Sequence, residues 1–346
     1  MPGIDREEQR VIVVGAGVAG LACARALADA GRSVTVLERA RGVGGRCATR
    51  RLDGQAVDFG VLFFHGKDPG FLAALDGVPA TRLPGWPAVV QGAGRPCQPE
   101  AFAPGERRLA FGEGVSVFPK HLARGLDVRT GVRVISFGLE GSRVRLDLED
   151  DASLTARTVV LALAAEQSLA LLHASAEAAP VLSTARALLE MVRCQPCLAL
   201  LAAYPQEDLE PLAWDVCYPA ESHVLQALVH DSAKRRSPQR RVMVYQAHPR
   251  WSHEHLADDR WSDRLLDEAA RILGPWAGDP CMRHPHRWLH ARTDLGAELS
   301  APVVLALPGG ARLGLAGELF APGGGVEGAW MSAHRLARRI LAEENR

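Results

Sequence analysis

The strongest constraint on the fold lies in the first forty residues. Val11-Ile-Val-Val14 is a short β-branched run, the pattern of a strand buried on both faces. Gly15-Ala-Gly17-Val-Ala-Gly20 follows without a gap, and Leu21 to Ala30 is an Ala/Leu-rich helix closed by Gly31. Ser33-Val-Thr-Val-Leu37 is a second strand, with Glu38 at its end. Strand, G-x-G-x-x-G, helix, strand and acid in this order form a dinucleotide cradle. Gly15 allows the tight turn, Gly17 lets the backbone approach a pyrophosphate, and Gly20 lets helix and strand pack closely. The helix N-terminus meets the phosphates, and Glu38 accepts from ribose hydroxyls. An acid at this position disfavours a 2′-phosphate.

The next segment narrows the choice of dinucleotide. Arg39 to Arg46 reads R-A-R-G-V-G-G-R, so Gly44 and Gly45 offer bare amides and Arg46 a phosphate partner. The E-R-x-x-x-x-G-G-R arrangement from Glu38 resembles FAD enzymes of the amine-oxidase superfamily. In that superfamily the stretch corresponding to Asp58-Phe59-Gly60 approaches the flavin ring, and Arg39 and Gly60 join the expected cofactor contacts. The far end of the chain supplies a matching pattern. Leu313-Gly-Leu-Ala-Gly317-Glu318 is a short strand ending in glycine and an acid. Gly323-Gly-Gly325-Val326 then leads into a helix whose apolar residues Trp330, Ala333, Leu336, Ile340 and Leu341 share one face. By the resemblance, Gly317, Glu318, Gly325 and Val326 meet FAD, and the backbone of Val134 holds its adenine end. No cysteine follows Cys281, so the flavin is expected to be non-covalent.

More of the chain points the same way. Val13 to Arg46, Asp58 to Phe64, Gly114 to Val134, Pro196 to Leu200, His230 to Lys234, Trp251 to His255, His286 to Ala291 and Val326 to Ser332 together resemble bacterial members of the renalase family. The resemblance implies hydride transfer from 2- or 6-dihydro isomers of NAD(P)H to flavin N5, with reoxidation by O2 to H2O2. A dihydropyridine becomes aromatic on losing hydride, so the protein need only stack and orient the donor. His65, Trp288 and His290 are the expected donor-side residues. The chain also departs from the family. Val61-Leu-Phe-Phe-His65 stands where A-Q-Y-F-T is usual, and Trp288-Leu-His290 stands where W-R-Y is usual. Oxidation of an amine or a specialised metabolite is the alternative reading, and a non-catalytic flavin protein a third.

The expected fold is therefore α/β: a Rossmann-like FAD domain of the amine-oxidase and glutathione-reductase type, with an inserted α+β substrate domain. Residues 1–78, 105–165 and 301–346 are assigned to the first, and 79–104 and 166–300 to the second. Phe118 to Leu126 reads as a helix opened by Pro119, and Val132 to Leu163 as a meander with a return strand. Lys+Arg and Asp+Glu number 40 each, so no global field recruits nucleic acid or an anionic membrane. The seven cysteines form no even, dense framework, and a polar start without an apolar run predicts a cytoplasmic protein, monomer or homodimer. Its partners are a small-molecule reductant and O2. Cys194-Gln-Pro-Cys197 lacks a second pair and reads as structural thiols. The histidine-rich segments around His253 and His284 lack metalloenzyme spacing, so no metal is assigned. Lys234-Arg-Arg236 reads as a solvated turn.

Overall fold

A computed structural model describes residues 10–92, 101–175, 179–205 and 210–344. The chain divides into two compact units, one of residues 1–45, 118–194 and 292–346, the other of 46–117 and 195–291. The sequence-based boundaries differ from this division. Residues 46–78 and 105–117 group with the second unit, and 166–194 and 292–300 with the first. Part of the expected excursion at 79–104 lies outside the described residues.

The first unit is built on a six-stranded sheet in the order Val303–Ala306, Arg312–Leu315, Thr158–Leu161, Arg10–Val14, Ser33–Glu38 and Asp127–Thr130. All neighbours run parallel except the edge strand Val303–Ala306. Val13 pairs with Val160 on one side and Val36 on the other, so Arg10–Val14 is central. Its apolar run follows from that position, since a parallel strand is covered on both faces. The helix Val18–Asp29 starts three residues earlier than the sequence suggests, directly after Gly17. Its buried Ala19, Gly20, Ala22, Cys23 and Ala24 are small enough for close approach, and it packs on the C-terminal helix Gly325–Glu344. That helix begins within the glycine run, at Gly325, and buries Ala333, Leu336 and Ile340.

The meander is a separate antiparallel sheet of Val134–Glu140, Arg143–Leu148 and Ser153–Ala156. One residue later Thr158–Leu161 enters the parallel sheet. The expected Pro119 helix runs over Val117–Leu122, with the proline third rather than first. Proline is tolerated there because the first turn's N–H groups have no helical acceptor.

The second unit centres on another six-stranded sheet. Its order is Met282–Thr293, Cys194–Tyr204, Arg241–Ala247, Leu225–His230, Val216–Tyr218 and Val90–Gly92. Leu198, Leu200, Ala202 and Tyr204 enter one core with Trp261, Leu265 and Ala269 of the helix Trp261–Leu273. Leu201 and Ala203 enter the opposite core with Val57, Phe59, Leu62, Phe63 and Val244. Period-two alternation thus feeds two cores from one strand. Among the described residues no helix is long and apolar enough to cross a membrane.

Candidate functional site

The fingerprint glycines of the first unit each have a geometric reason. Gly15 sits at φ +103°, where its N–H donates to the Leu37 carbonyl at 2.8 Å. A Cβ there would lie 2.6 Å from the Ala162 carbonyl oxygen. A Cβ on Gly20 would strike the Gly15 carbonyl, so glycine is what lets this helix lie against the turn. Gly17 differs, because a Cβ there meets nothing within 4 Å. Its Cα side is open, at the N-terminus of a 12-residue helix without a side-chain cap. The second glycine loop lies beside it. Gly44 bridges Gly17 and donates to the Ala16 carbonyl at 2.8 Å, with Gly44 at φ +118° and Gly45 at +53°.

Glu38 is half-buried at the end of its strand, and Arg39 next to it is exposed. One Glu38 carboxylate oxygen accepts from the Ala16 N–H and the other from the Ala40 N–H, each at 2.8 Å. These bonds hold the carboxylate beside the fingerprint turn. The Val132 N–H donates to the Glu38 carbonyl at 2.9 Å, which brings the segment leading to buried Val134 against the same strand end.

The C-terminal motif folds onto the same unit. The Ser332 hydroxyl accepts from the Gly317 N–H at 2.9 Å and donates to the Gly317 carbonyl at 2.8 Å, tying that turn to the last helix. Glu318 is buried, and its Oε1 accepts from the Thr293 N–H at 3.1 Å and the Thr293 hydroxyl at 3.3 Å. Gly323, Gly324 and Gly325 are all left-handed, at φ +80°, +58° and +68°. They turn the chain into the helix on which Val326 is half-buried. The Gly44 amide, expected to be bare, is thus used within the loop, and the unit offers two glycine-led helix N-termini and two positioned carboxylates. That donor and acceptor set fits a dinucleotide such as FAD.

The second unit carries an aromatic wall. Phe59 stacks on Trp288 with centroids 5.1 Å apart, and the His286 ring meets Trp288 edge-on at 4.3 Å and Phe59 at 4.9 Å. The Trp288 indole N–H donates to the Phe59 carbonyl at 3.1 Å, and the Gln246 amide donates to the Phe59 and Gly60 carbonyls. A Cβ on Gly60 would strike the Arg46 carbonyl and lie 2.9 Å from Trp288. Arg46 itself donates to the Ala291 carbonyl at 3.3 Å. Alternation along Met282–Thr293 puts His284, His286, Trp288 and His290 on one face, while Leu289 is 57% exposed on the other. Burial first, then Arg50 and His284, pushes His286 down to about 4, so its ring is neutral near pH 7.

The other expected donor-side histidine is elsewhere. His65 lies in the three-stranded sheet with Arg82–Pro84 and Arg107–Phe111, its Nδ1 3.5 Å from Glu106. Leu62 and Phe63 are core residues. Cys194 and Cys197 lie three residues apart on one strand, a spacing that points them to opposite faces.

The reading of Lys234 as part of a solvated turn is overturned. Lys234 is 2% exposed, and its ammonium lies 2.6 Å from both Asp58 and Asp231. Arg235 pairs with the same two acids at 3.1 and 2.7 Å. Thr49 and the Val115 N–H complete the Asp58 carboxylate. Burial pushes the Asp58 carboxyl up, but Lys234, Arg235 and these hydrogen bonds outweigh it and hold it below the usual range. The sequence carried half of this signal, because Asp231 precedes Lys234 and Arg235 by three and four residues.

Comparison with known proteins bears on these features. Residues 99–341 match the family described as flavin containing amine oxidoreductase, and residues 13–76 match the NAD(P)-binding Rossmann-like domain. Putrescine oxidase of Kocuria rosea is 44% identical over 69 residues, 20% of this chain and 14% of that protein. The zeta-carotene-forming phytoene desaturase of Myxococcus xanthus is 50% identical over 52 residues, 15% of this chain and 10% of that protein. The matches thus span a small part of each relative. Over almost the whole chain, the fold resembles cyclohexylamine oxidase from Brevibacterium oxydans IH-35A, with a TM-score of 0.73 and 18% identity, covering 98% of this chain and all of that one.

Proposed function

The chain belongs to the flavin containing amine oxidoreductases, whose cofactor is FAD, and from this premise we propose that it is an oxidase of dihydronicotinamide-type donors, close in chemistry to the renalase family. The first unit is assigned to FAD and the second to the donor. Gly15, Gly17, Gly20, Gly44 and Gly45 take the pyrophosphate, with Arg46 as a phosphate partner. Glu38, next to Arg39, takes a ribose, and Val134 the adenine end. Glu318, Gly317, Gly325 and Val326 serve the ribityl and ring portions.

Bound FAD would supply a two-electron acceptor there: the donor's hydride would reach O2 as an electron pair together with that hydrogen's proton and one from solvent, giving H2O2. The residues proposed for the donor side need not remove a proton. Their tasks are to stack a flat ring and exclude misaligned poses. The observation that carries the donor assignment is the wall of Phe59, Trp288 and neutral His286 beside Gly60. Trp288 and His286 are half-buried over the buried Phe59 and are suited to a flat ring, whereas a cationic amine would gain from a carboxylate there. The relatives support a second reading, since two carry amine substrates in their names. A desaturase matches this chain over a similarly short length, so matches of this extent do not choose between donors.

The test is anaerobic mixing of the yellow holoprotein with borohydride-reduced NAD, which contains the 2- and 6-dihydro isomers. Flavin bleaching by those isomers but not by amines is expected. Bleaching by putrescine or cyclohexylamine alone would replace this reading with an amine oxidase, and no bleaching by any donor would leave a flavin-binding protein.

A further inference from the structure

The aromatic wall has a cation beside it that the ring chemistry does not require. Arg50 lies in the strand Thr49–Leu52, and its guanidinium carbon is 5.9 Å from the centroid of the Phe59 ring. Phe59 in turn contacts Trp288 and His286, with His284 two residues before His286 on the same strand face. Among the described residues no carboxylate forms an ion pair with Arg50, whereas Arg235 in the same unit is held by two. A half-buried arginine is normally neutralised or placed where its charge has a use. The nearby imidazoles do not neutralise it, and its field opposes their protonation. The wall therefore carries one uncompensated positive charge beside a flat apolar surface. That combination attracts a donor with an aromatic ring and a negatively charged arm, and repels an ammonium.

We propose that Arg50 is a specificity-determining residue that selects a phosphate-bearing donor over cationic amines. This inference rests on the donor reading above and adds to it the residue that reads the donor's negative charge.

The experiment compares two borohydride-reduced donors with the same ring. One is nicotinamide mononucleotide, which carries a phosphate, and the other is N-methylnicotinamide, which is uncharged once reduced. Anaerobic flavin bleaching by each is measured in the wild-type holoprotein, Arg50→Gln and Arg50→Lys. The expected result is a wild-type preference for the phosphorylated donor that falls roughly tenfold in Arg50→Gln and returns in Arg50→Lys. Raised salt should lower the wild-type preference in the same direction. Calorimetric titration with oxidised mononucleotide should show a matching loss of affinity in Arg50→Gln without turnover. Equal bleaching by both donors in the wild type, or a preference that survives in Arg50→Gln, overturns the role of Arg50 and leaves the donor reading standing. Bleaching by neither donor overturns both.

Discussion

Lys234 illustrates what a local reading of residues can miss. Its neighbours Arg235 and Arg236 make the stretch look like a charged surface turn, but its partner Asp58 is 176 residues away. Partners at that separation leave no mark in spacing. Replacing Lys234 with Met leaves Asp58 and Asp231 to share one guanidinium in a dry site. The expected cost is about 3–5 kcal/mol. Lys234→Met together with Asp231→Asn removes one charge of each sign and should recover part of that loss. Urea midpoints of the single and double variants check both, and a single variant as stable as the wild type would show that the quartet contributes nothing net.

His286 gives a residue-scale prediction about pH. Its folded value is about 4, against an ordinary histidine near 6.5 in the unfolded chain. Between these values the unfolded chain binds a proton that the folded chain does not. Its contribution to stability is therefore present above about pH 6.5 and is lost as pH falls towards about 4. Replacing His286 with Phe should flatten this part of the stability profile, read as urea midpoints from pH 7 to 4. An unchanged slope would place the acid sensitivity elsewhere.

At the scale of single elements the sequence was most legible where the pattern is local. The strands Arg10–Val14 and Ser33–Glu38 and the intervening helix follow from periodicity and glycine placement. Helix starts were harder. Val18–Asp29 and Gly325–Glu344 both begin behind glycines that offer no capping side chain, so no polar residue marks where they start. The reason Gly20 must be glycine appears only in three dimensions, because its missing Cβ makes room for the Gly15 carbonyl. Gly20→Ala should push the helix off the turn and cost about 1–3 kcal/mol, as overpacking does. Its FAD content after purification should fall with its stability. A variant that keeps full FAD and an unshifted melting temperature would contradict the close-packing role.

At the scale of the whole molecule, the segments near both ends of the sequence were legible as parts of one compact unit because both carry glycine-led helix N-termini. The dividing points were not, since 45/46 falls within the glycine loop and 194/195 within a continuous strand. The proposed cofactor contacts come from segments far apart in sequence, so FAD binding should stabilise their assembly. At a free concentration a hundredfold above the dissociation constant the gain is about 2.7 kcal/mol. Removing FAD should lower the melting temperature, and adding it back should restore it. Glu38→Ala should shrink that difference. An equal FAD-dependent shift in the variant would count against the ribose role of Glu38.

The order of strands in the parallel sheet also sets a timetable. Arg10–Val14 leaves the ribosome well before its neighbour Thr158–Leu161 and the next strand, Arg312–Leu315. At about 5–20 residues per second, the last of these follows the first by about 15–60 s. Through that interval a strand that ends up covered on both sides is without half its sheet. The helix that buries Leu336 against Gly314 does not yet exist either. A nascent chain of this kind depends on whatever shields its first apolar strand during synthesis, and its yield should be sensitive to translation speed and chaperone supply even when the finished protein is stable.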